Sequence, residues 1–151
     1  MIGLDTGFLI AWALTDHPAH RDCRARLEAA NADGQTFAVT SGVLAEFIHV
    51  VTDPRRFRSP LTMEEAVEQS RFWIQPPACS VLAPTLAANL LWLDWMNLHR
   101  LGRKRVLDTL LAATWCTSGI AEVWTLNPAD FTVFDCFRIW SPPADLLHPS
   151  L

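Results

Sequence analysis

The chain has 151 residues, of which 50% are hydrophobic and 19% are charged, a composition typical of one globular domain and not of a disordered chain. Its formal net charge is −4, with 12 Lys and Arg against 16 Asp and Glu, which excludes a basic protein that coats nucleic acid. No apolar stretch approaches the ~20 residues of a membrane span, and the apolar run at 7–14 has no basic segment before it, so neither a membrane protein nor a signal peptide is expected.

Strands and helices alternate along the chain, beginning with a short buried strand at 2–4 that ends at Asp5 and an apolar helix at 7–14. The later predicted strands are 36–40, 80–82, 121–126 and 136–140, and the later predicted helices are 19–32, 42–51, 62–74, 85–98 and 106–118. This alternation predicts an α/β fold with a mostly parallel sheet flanked by helices. We expect one domain over 1–141 and a C-terminal tail over 142–151.

Local signals mark several helix ends. Ser41 is the predicted N-cap of the helix at 42–51, and Thr62 with Glu65 has the spacing of a capping box. Gly119 is the predicted end of the helix at 106–118. The basic segment at 100–105 is predicted to be an irregular connection.

Four acidic residues stand where either a structural or a functional role would explain them. Asp5 follows the first strand and would also cap the next helix. Glu46 lies on the flank of an apolar helix face, where a solvated glutamate is common. Asp108 lies in the first turn of an apolar helix that we expect to be buried on two sides, and Asp130 follows a strand and the turn at Asn127.

These acids are expected to converge, because ligands of parallel sheets bind beyond the carboxyl ends of the strands. Four carboxylates in one cleft would repel each other unless a divalent cation neutralised them. Carboxylate oxygens are hard ligands that suit Mg²⁺, with Mn²⁺ as a substitute. The sequence therefore predicts a site for a divalent cation.

The ordered set of motifs resembles the PIN-domain ribonucleases, and among them the VapC-type toxins of bacterial toxin–antitoxin pairs. The resemblance runs over residues 1 to about 140. Its segments are MIGLDTGFLI at 1–10, DHPAH at 16–20, the helix with Glu46, VLDTLLAAT at 106–114 and TLNPADF at 125–131. It implies a three-layer PIN-like fold, a mostly parallel sheet between helices.

The resemblance also implies roles for individual residues. Asp5, Glu46 and Asp108 would be the core acids, with Asp5 and Asp108 as the principal Mg²⁺ ligands. Asn127 and Asp130 both match the last motif. We prefer Asp130 as the fourth acid because of its charge, with Asn127 as a neighbour that orients it.

Two hydroxyl residues, Thr6 and Thr109, are expected to hydrogen-bond the carboxylates or metal-bound waters. The implied activity is Mg²⁺-dependent hydrolysis of RNA, in which water attacks phosphorus and leaves 5′-phosphate and 3′-hydroxyl ends. The implied partners are an RNA substrate, a cognate antitoxin protein and a second copy of the chain. Four cysteines without paired spacing agree with a reducing, cytoplasmic location.

The cations are clustered in two segments of the chain. Five of them are candidates for binding the RNA backbone, and the alternative for each is a solvated loop charge. These candidates are Arg55, Arg56, Arg103, Lys104 and Arg105.

Other functions remain as alternatives. The first is a PIN-like binding or scaffold module that retains the acids with little turnover. Asp5-Thr6-Gly7 also spells the triplet of aspartic proteases, but one copy in a helix-rich chain lacks the second aspartate that this chemistry needs. His17, His20 and Cys23 recur every three residues, but no fourth zinc ligand is evident.

Overall fold

The computed structural model describes residues 1–75 and 77–147. Within them, every predicted strand and helix is present, with ends shifted by a few residues at most. The strands are β1 (Ile2–Leu4), β2 (Phe37–Thr40), β3 (Cys79–Leu82), β4 (Glu122–Trp124) and β5 (Arg138–Trp140). The helices are α1 (Thr6–Ala13), α2 (His20–Ala32), α3 (Ser41–Val51), α4 (Met63–Phe72), α5 (Leu86–Leu98), α6 (Val106–Thr117), α7 (Ala129–Thr132) and α8 (Ala144–Leu147).

The strands form one sheet in the order β3-β2-β1-β4-β5, and every neighbouring pair is parallel. The prediction of a parallel α/β sheet is therefore confirmed. The chain adds β2 and β3 on one side of β1, and then returns to add β4 and β5 on the other. Such a reversal leaves a crevice between the carboxyl ends of the two strands that meet there, here β1 and β4.

Helices cover both faces of the sheet, which gives three layers. Because side chains alternate along a strand, Ile2 and Leu4 of β1 pack into the core beneath α1–α4, together with Phe37 and Trp124. Ala38 and Val123 belong to the second core, with residues of α5, α6 and α7. The two cores exclude water from both faces, which agrees with the apolar strands.

The helix that carries Asp108 packs directly on the central strand. A Cβ atom at Gly3 of β1 would lie 2.9 Å from two ring atoms of Trp115 in α6, which is closer than side chains approach in folded proteins. Glycine at this position lets the indole ring lie against the bare strand backbone. Trp115 is completely buried there.

The helix ends follow the sequence signals with one error. The capping box of Thr62 and Glu65 is confirmed, and Gly119 after α6 has the positive φ of +76° that favours glycine at a helix end. Ser41 as the N-cap of α3 was wrong: the helix includes Ser41, and the Thr40 hydroxyl accepts from the Val43 amide. Both residues are good caps, and α3 begins one residue earlier than predicted, which makes Thr40 the cap.

The basic connection differs from the prediction, and two other segments lie partly outside the described residues. Part of the basic connection, Arg103–Arg105, forms a 3₁₀ turn that leads straight into α6. The predicted tail contains α8, while its last residues, 148–151, and Pro76 of the proline pair at 76–77 lie outside the described residues. Among the described helices, none is long and apolar enough to cross a membrane.

Candidate active site

Asp5 stands at the carboxyl end of β1, in the crevice beside β4, and its two oxygens are both hydrogen-bonded. Oδ1 accepts from the Thr6 amide at 2.7 Å, so Asp5 does cap α1. Oδ2 accepts from the Thr125 hydroxyl at 2.6 Å. Thr125 follows β4 and is completely buried, so the two neighbouring strands fix this carboxylate between them.

Burial raises the pKa of Asp5 to about 6, although the hydrogen bonds from Thr125 and Thr6 act in the opposite direction. The negative charges of Asp108 and Glu46 raise it further. The structure thus brings these three predicted acids within electrostatic reach of one another. A carboxylate that is desolvated and surrounded by like charges has a strong requirement for a cation.

Glu46 projects from α3, and Thr6 connects it to Asp5. The Thr6 hydroxyl donates to Glu46 Oε2 at 2.7 Å, while the Thr6 amide holds Asp5. Thr6 therefore does what the sequence predicted, since it binds carboxylates with both of its donors. Glu46 itself is exposed.

Asp108 lies in the first turn of α6. Burial raises its pKa to about 6, and the charge of Asp130 adds to this, whereas Arg105 lowers it. The helix is less enclosed than the sequence suggested: Leu107 is 74% exposed, so the first turn of α6 borders open space and not a second packed layer. That opening is what gives a ligand access to Asp108.

Asp130 lies in α7, six residues beyond β4, and both of its oxygens have partners. Oδ1 is 3.2 Å from Arg105 Nε. Oδ2 accepts from the side-chain amide of Asn127. The two residues that match the last motif therefore contact each other, with Asn127 orienting Asp130 as expected.

An open cleft of about 590 Å³ lies between α3 and α6 and includes two of the acids in its lining. Glu46 and His49 line it from α3, and Leu107 and Asp108 from α6. Its walls are otherwise largely apolar, with Leu82 and further aliphatic side chains. The volume is in the range of ordinary ligand pockets, which is roughly 300–1,000 Å³.

Several other predicted residues have partners outside the group of four acids. Thr109 is fully buried and donates its hydroxyl proton to the Arg105 carbonyl, four residues earlier in the chain, so it contacts no carboxylate through that proton. Arg55 and Arg56 both pair with Asp53 in their own loop. Sequence spacing did not reveal these contacts, which depend on local geometry.

The cations next to α6 fall into two groups. Arg103 and Lys104 are exposed in the 3₁₀ turn. Arg105 lies among the acids, with Nε 3.2 Å from Asp130 Oδ1 and 3.9 Å from Asp108 Oδ2. The sequence grouped all three as RNA-binding candidates, but in the structure Arg105 already has acidic partners.

The zinc alternative finds no support in the contacts of its residues. His17 Nδ1 accepts from the Ala19 amide, and His20 Nδ1 lies 2.9 Å from the Ala11 carbonyl. Cys23 is fully buried, and burial raises the pKa of its thiol to about 12, which disfavours the thiolate that zinc requires. The cysteine is therefore part of the core.

The donor chemistry of the acid cluster fits a hard divalent cation, because its side chains offer only carboxylate and hydroxyl oxygens. The cluster is not a closed coordination sphere as it stands. Among the described residues, no three His, Cys, Asp or Glu side chains lie close enough together to hold one ion. Asp130 is instead occupied by Arg105 and Asn127.

A model of the PIN domain matches residues 2–133. The chain belongs to the PIN-domain family. This confirms the resemblance based on the sequence motifs. The match covers β1 to α7, so it contains all four acids of this PIN domain.

Similar proteins agree with that assignment. Ribonuclease VapC24 of Mycobacterium tuberculosis, found in two strains, is 29% identical over 142 residues, which are 94% of this chain and 97% of the relative. The structure of the sarcin-ricin loop cleaving toxin VapC20 of M. tuberculosis matches with a TM-score of 0.72 and 20% identity, over 94% of this chain and 100% of that one. VapBC2 of Rickettsia felis, bound to a promoter DNA fragment, matches with a TM-score of 0.65 and 19% identity, over 95% and 100%. At 20% and 19% identity, these two structures show that the chain shares their fold.

Proposed function

We propose that this PIN domain is a metal-dependent endoribonuclease of the VapC type, the toxin of a toxin–antitoxin pair. The observation that carries the proposal is the cluster of acids at the β1–β4 crevice, where the pKa values of Asp5 and Asp108 are both raised to about 6. Arg105 offsets only part of the negative charge of these acids, and a divalent cation would supply the rest. The similarity to ribonuclease VapC24 over nearly the whole chain supports the same activity.

Asp5 and Asp108 would hold Mg²⁺, or Mn²⁺ in its place, because they are the most strongly perturbed acids of the cluster. When bound, such an ion polarises the scissile phosphate and lowers the pKa of a coordinated water. Thr6 and Thr125 fix Asp5 before any ion arrives, which limits the reorganisation that binding requires. Asp108, at the open first turn of α6, would adjust its side chain to complete the pair.

Glu46 would receive the proton of the attacking water. Thr6 holds one of its oxygens, and the side chain lines the cleft, so the carboxylate is oriented but still reachable by solvent. The water oxygen forms a bond to phosphorus as the bond from phosphorus to the 3′-oxygen breaks. The products carry 5′-phosphate and 3′-hydroxyl ends, with a solvent proton on the leaving oxygen.

RNA would approach along the cleft between α3 and α6. Its apolar walls offer a surface for a nucleotide next to the scissile phosphate, and the exposed Arg103 and Lys104 lie directly before α6 to attract the backbone. We include a protein antitoxin as a partner, in line with the VapBC2 complex that shares the fold, and we also include a second copy of this chain. An RNA substrate would place the activity in the cytoplasm.

The test is cleavage of purified total bacterial RNA, with new ends mapped by sequencing. We expect discrete cuts with Mg²⁺ or Mn²⁺, none in EDTA, and a loss of at least about 10³-fold for Asp108→Asn, because the site would lose several kcal/mol of charge stabilisation. Asp94→Asn, at an exposed position on α5, is the matched control and should cleave like the wild type. Equal cleavage by Asp108→Asn and the wild type would refute the assignment.

One observation favours the second candidate, a PIN-like binding module with little turnover: as placed, no three potential ligands among the described residues enclose an ion. That module would retain RNA binding in EDTA and release no new 5′ ends in Mg²⁺. Filter binding and end mapping on the same RNA separate the two functions. Cleavage that requires metal, and that Asp108→Asn abolishes, excludes the binding module.

A further inference from the structure

Arg105 differs from the other cations of its segment in exposure and in partners. Its side chain is 24% exposed, and it lies between Asp108, at 3.9 Å, and Asp130, at 3.2 Å. Arg103 and Lys104, its neighbours in the 3₁₀ turn, are exposed. Three consecutive basic residues thus include one that faces inwards, towards the acids.

The contacts of the guanidinium group are of two kinds. Nη2 donates to the backbone carbonyl of Asp130, which ties the arginine to α7. Nε is shielded from solvent and, among the described residues, has no hydrogen-bond partner in good alignment, although two carboxylates lie within 4.0 Å. Charge and not directional bonding therefore holds Nε between Asp108 and Asp130.

The same contacts decide what Asp130 can do. Its Oδ1 faces Arg105 and its Oδ2 accepts from Asn127, so both oxygens have partners and one of these partners carries a positive charge. A carboxylate oxygen can bind a metal ion and accept a hydrogen bond at the same time, but an ion at Asp130 would lie beside the positive charge of Arg105. Asp5, in contrast, contacts neutral donors only.

We propose that Arg105 is a built-in counter-cation of the acid cluster, which neutralises Asp130 in place of a second metal ion and so restricts the site to one divalent cation at Asp5 and Asp108. This inference rests on the proposed function, since it assumes that the cluster binds metal. Arg105 is a positioning residue in this role: it acts through Asp108 and Asp130.

Charge balance gives the reason for a single ion. Four ionised carboxylates are offset by Arg105 and one divalent cation to within a single charge, and a second divalent cation would leave the cluster positive. Without Arg105, the cluster would retain enough negative charge for two ions, and Asp130 would be free to turn towards them. Removal of this cation should therefore strengthen metal binding, whereas loss of a mere structural contact would not.

The experiment measures Mn²⁺ binding to the full chain without RNA, from the electron paramagnetic resonance signal of free Mn²⁺. We expect one ion for the wild type. For Arg105→Gln we expect the first ion to bind about tenfold more tightly, a modest gain because the pair is partly exposed and screened, and a second ion to bind. Arg105→Lys keeps the charge and should stay within about twofold of the wild type; Lys104→Gln makes the same charge change at an exposed position and should do likewise.

Thermal unfolding gives a second readout that a purely structural arginine would not produce. In EDTA, Arg105→Gln should lower Tm, because carboxylate repulsion is no longer offset. In saturating Mn²⁺ it should show a larger rise in Tm than the wild type, since tighter binding stabilises the folded state more. Equal losses of Tm with and without Mn²⁺ would overturn the inference.

Three other results would also overturn it: weaker Mn²⁺ binding by a folded Arg105→Gln, unchanged stoichiometry and affinity, or the same gain for Lys104→Gln. Tighter binding by Arg105→Lys would show that shape and not charge is responsible, and would overturn it too. If the wild type binds Mn²⁺ but the variants do not differ, only this inference fails. If neither the wild type nor Arg105→Gln binds Mn²⁺, the proposed metal-dependent function fails, and this inference with it.

Discussion

Asp5 and Asp130 belong to the same edge of the sheet, beyond neighbouring strands, yet the protein holds them in opposite ways. Asp5 is fixed by neutral donors, the Thr6 amide and the Thr125 hydroxyl, which orient the carboxylate but leave its charge in place. Asp130 is paired with the cation of Arg105 and with Asn127. One acid is thus oriented and lacks a counter-charge, while the other already has one.

The difference indicates where a metal ion would bind. Burial and like charges raise the pKa of Asp5 to about 6, so a cation that restores the ionised form gains most there. At Asp130 an incoming ion would compete with Arg105. Identical residue types in matching positions can therefore serve different purposes, according to whether their partners are neutral or charged.

The largest expected effect comes from neutralising each acid in turn. Asp5→Asn should lower the rate of RNA cleavage by about 10³-fold, whereas Asp130→Asn should lower it by only about tenfold, because several kcal/mol of metal binding are lost in the first case. Single-turnover cleavage in Mg²⁺ measures both. Equal losses of cleavage rate in the two variants would contradict this distinction between Asp5 and Asp130, since both acids would then be ligands of equal importance.

Removal of the hydroxyl that orients Asp5 should have the next largest effect. Thr125→Val keeps the shape of the side chain and removes the 2.6 Å hydrogen bond, so metal affinity should fall by about 10- to 100-fold. Mn²⁺ titration is the measurement. Thr117→Val, which removes a hydroxyl bonded to a carbonyl of its own helix, is the control and should bind Mn²⁺ normally. Unchanged binding by Thr125→Val would mean that the strand backbone alone positions Asp5.

The free energy of unfolding of the metal-free protein should depend on pH, because the pKa of Asp5 is raised. The pKa of Asp5 is about 6 in the folded state and 3.8 in the unfolded state, so folded protein binds more protons between these values and its stability falls as pH rises from about 4 to 6. The loss attributable to Asp5 is at most about 3 kcal/mol. Urea unfolding in EDTA at a series of pH values tests it, and Asp5→Asn should flatten the curve. Parallel curves for the wild type and Asp5→Asn over this interval would contradict the raised pKa of Asp5.

The smallest effect concerns the exposed cations that precede α6. The double variant Arg103→Gln, Lys104→Gln should weaken RNA binding to the Asp108→Asn protein and reduce the slope of log K against log salt by about 1, as expected when one or two phosphate contacts are lost. Arg138→Gln changes a cation at the amino end of β5, whereas the acids lie beyond the carboxyl ends of the strands. This variant should leave the slope unchanged. An unchanged slope in the double variant would show that RNA takes another path across the surface.

The sequence was sufficient for the fold because the pattern of strands and helices was consistent at every level. Short, largely apolar runs such as 2–4 and 36–40 favoured buried strands, and the signals at Thr62 and Gly119 marked the ends of helices between strands. The one wrong cap, Ser41 in place of Thr40, arose because two adjacent residues can both perform that role, and only the residue at which α3 begins decides between them.

The sequence predicted the acids of the candidate site but not the residues that contact them. Asp5 and Asp108 were found because charge at a strand end or in an apolar helix is conspicuous. Thr125 was missed as a site residue, since its contact spans 120 positions along the chain and a threonine after a strand is ordinary. Arg105 was grouped with Arg103 and Lys104 because charge alone does not show which way a side chain faces.

The bare backbone at Gly3 has a consequence for the spacing of the acids. Trp115 lies two turns along α6 from Asp108, and Gly3 lies two residues before Asp5, so this contact helps to set how closely the two acid-bearing elements approach. One added methyl group there would act as a spacer between helix and strand. The distance between the carboxylates of Asp5 and Asp108 therefore depends on packing in the hydrophobic core, away from any bound nucleotide or ion.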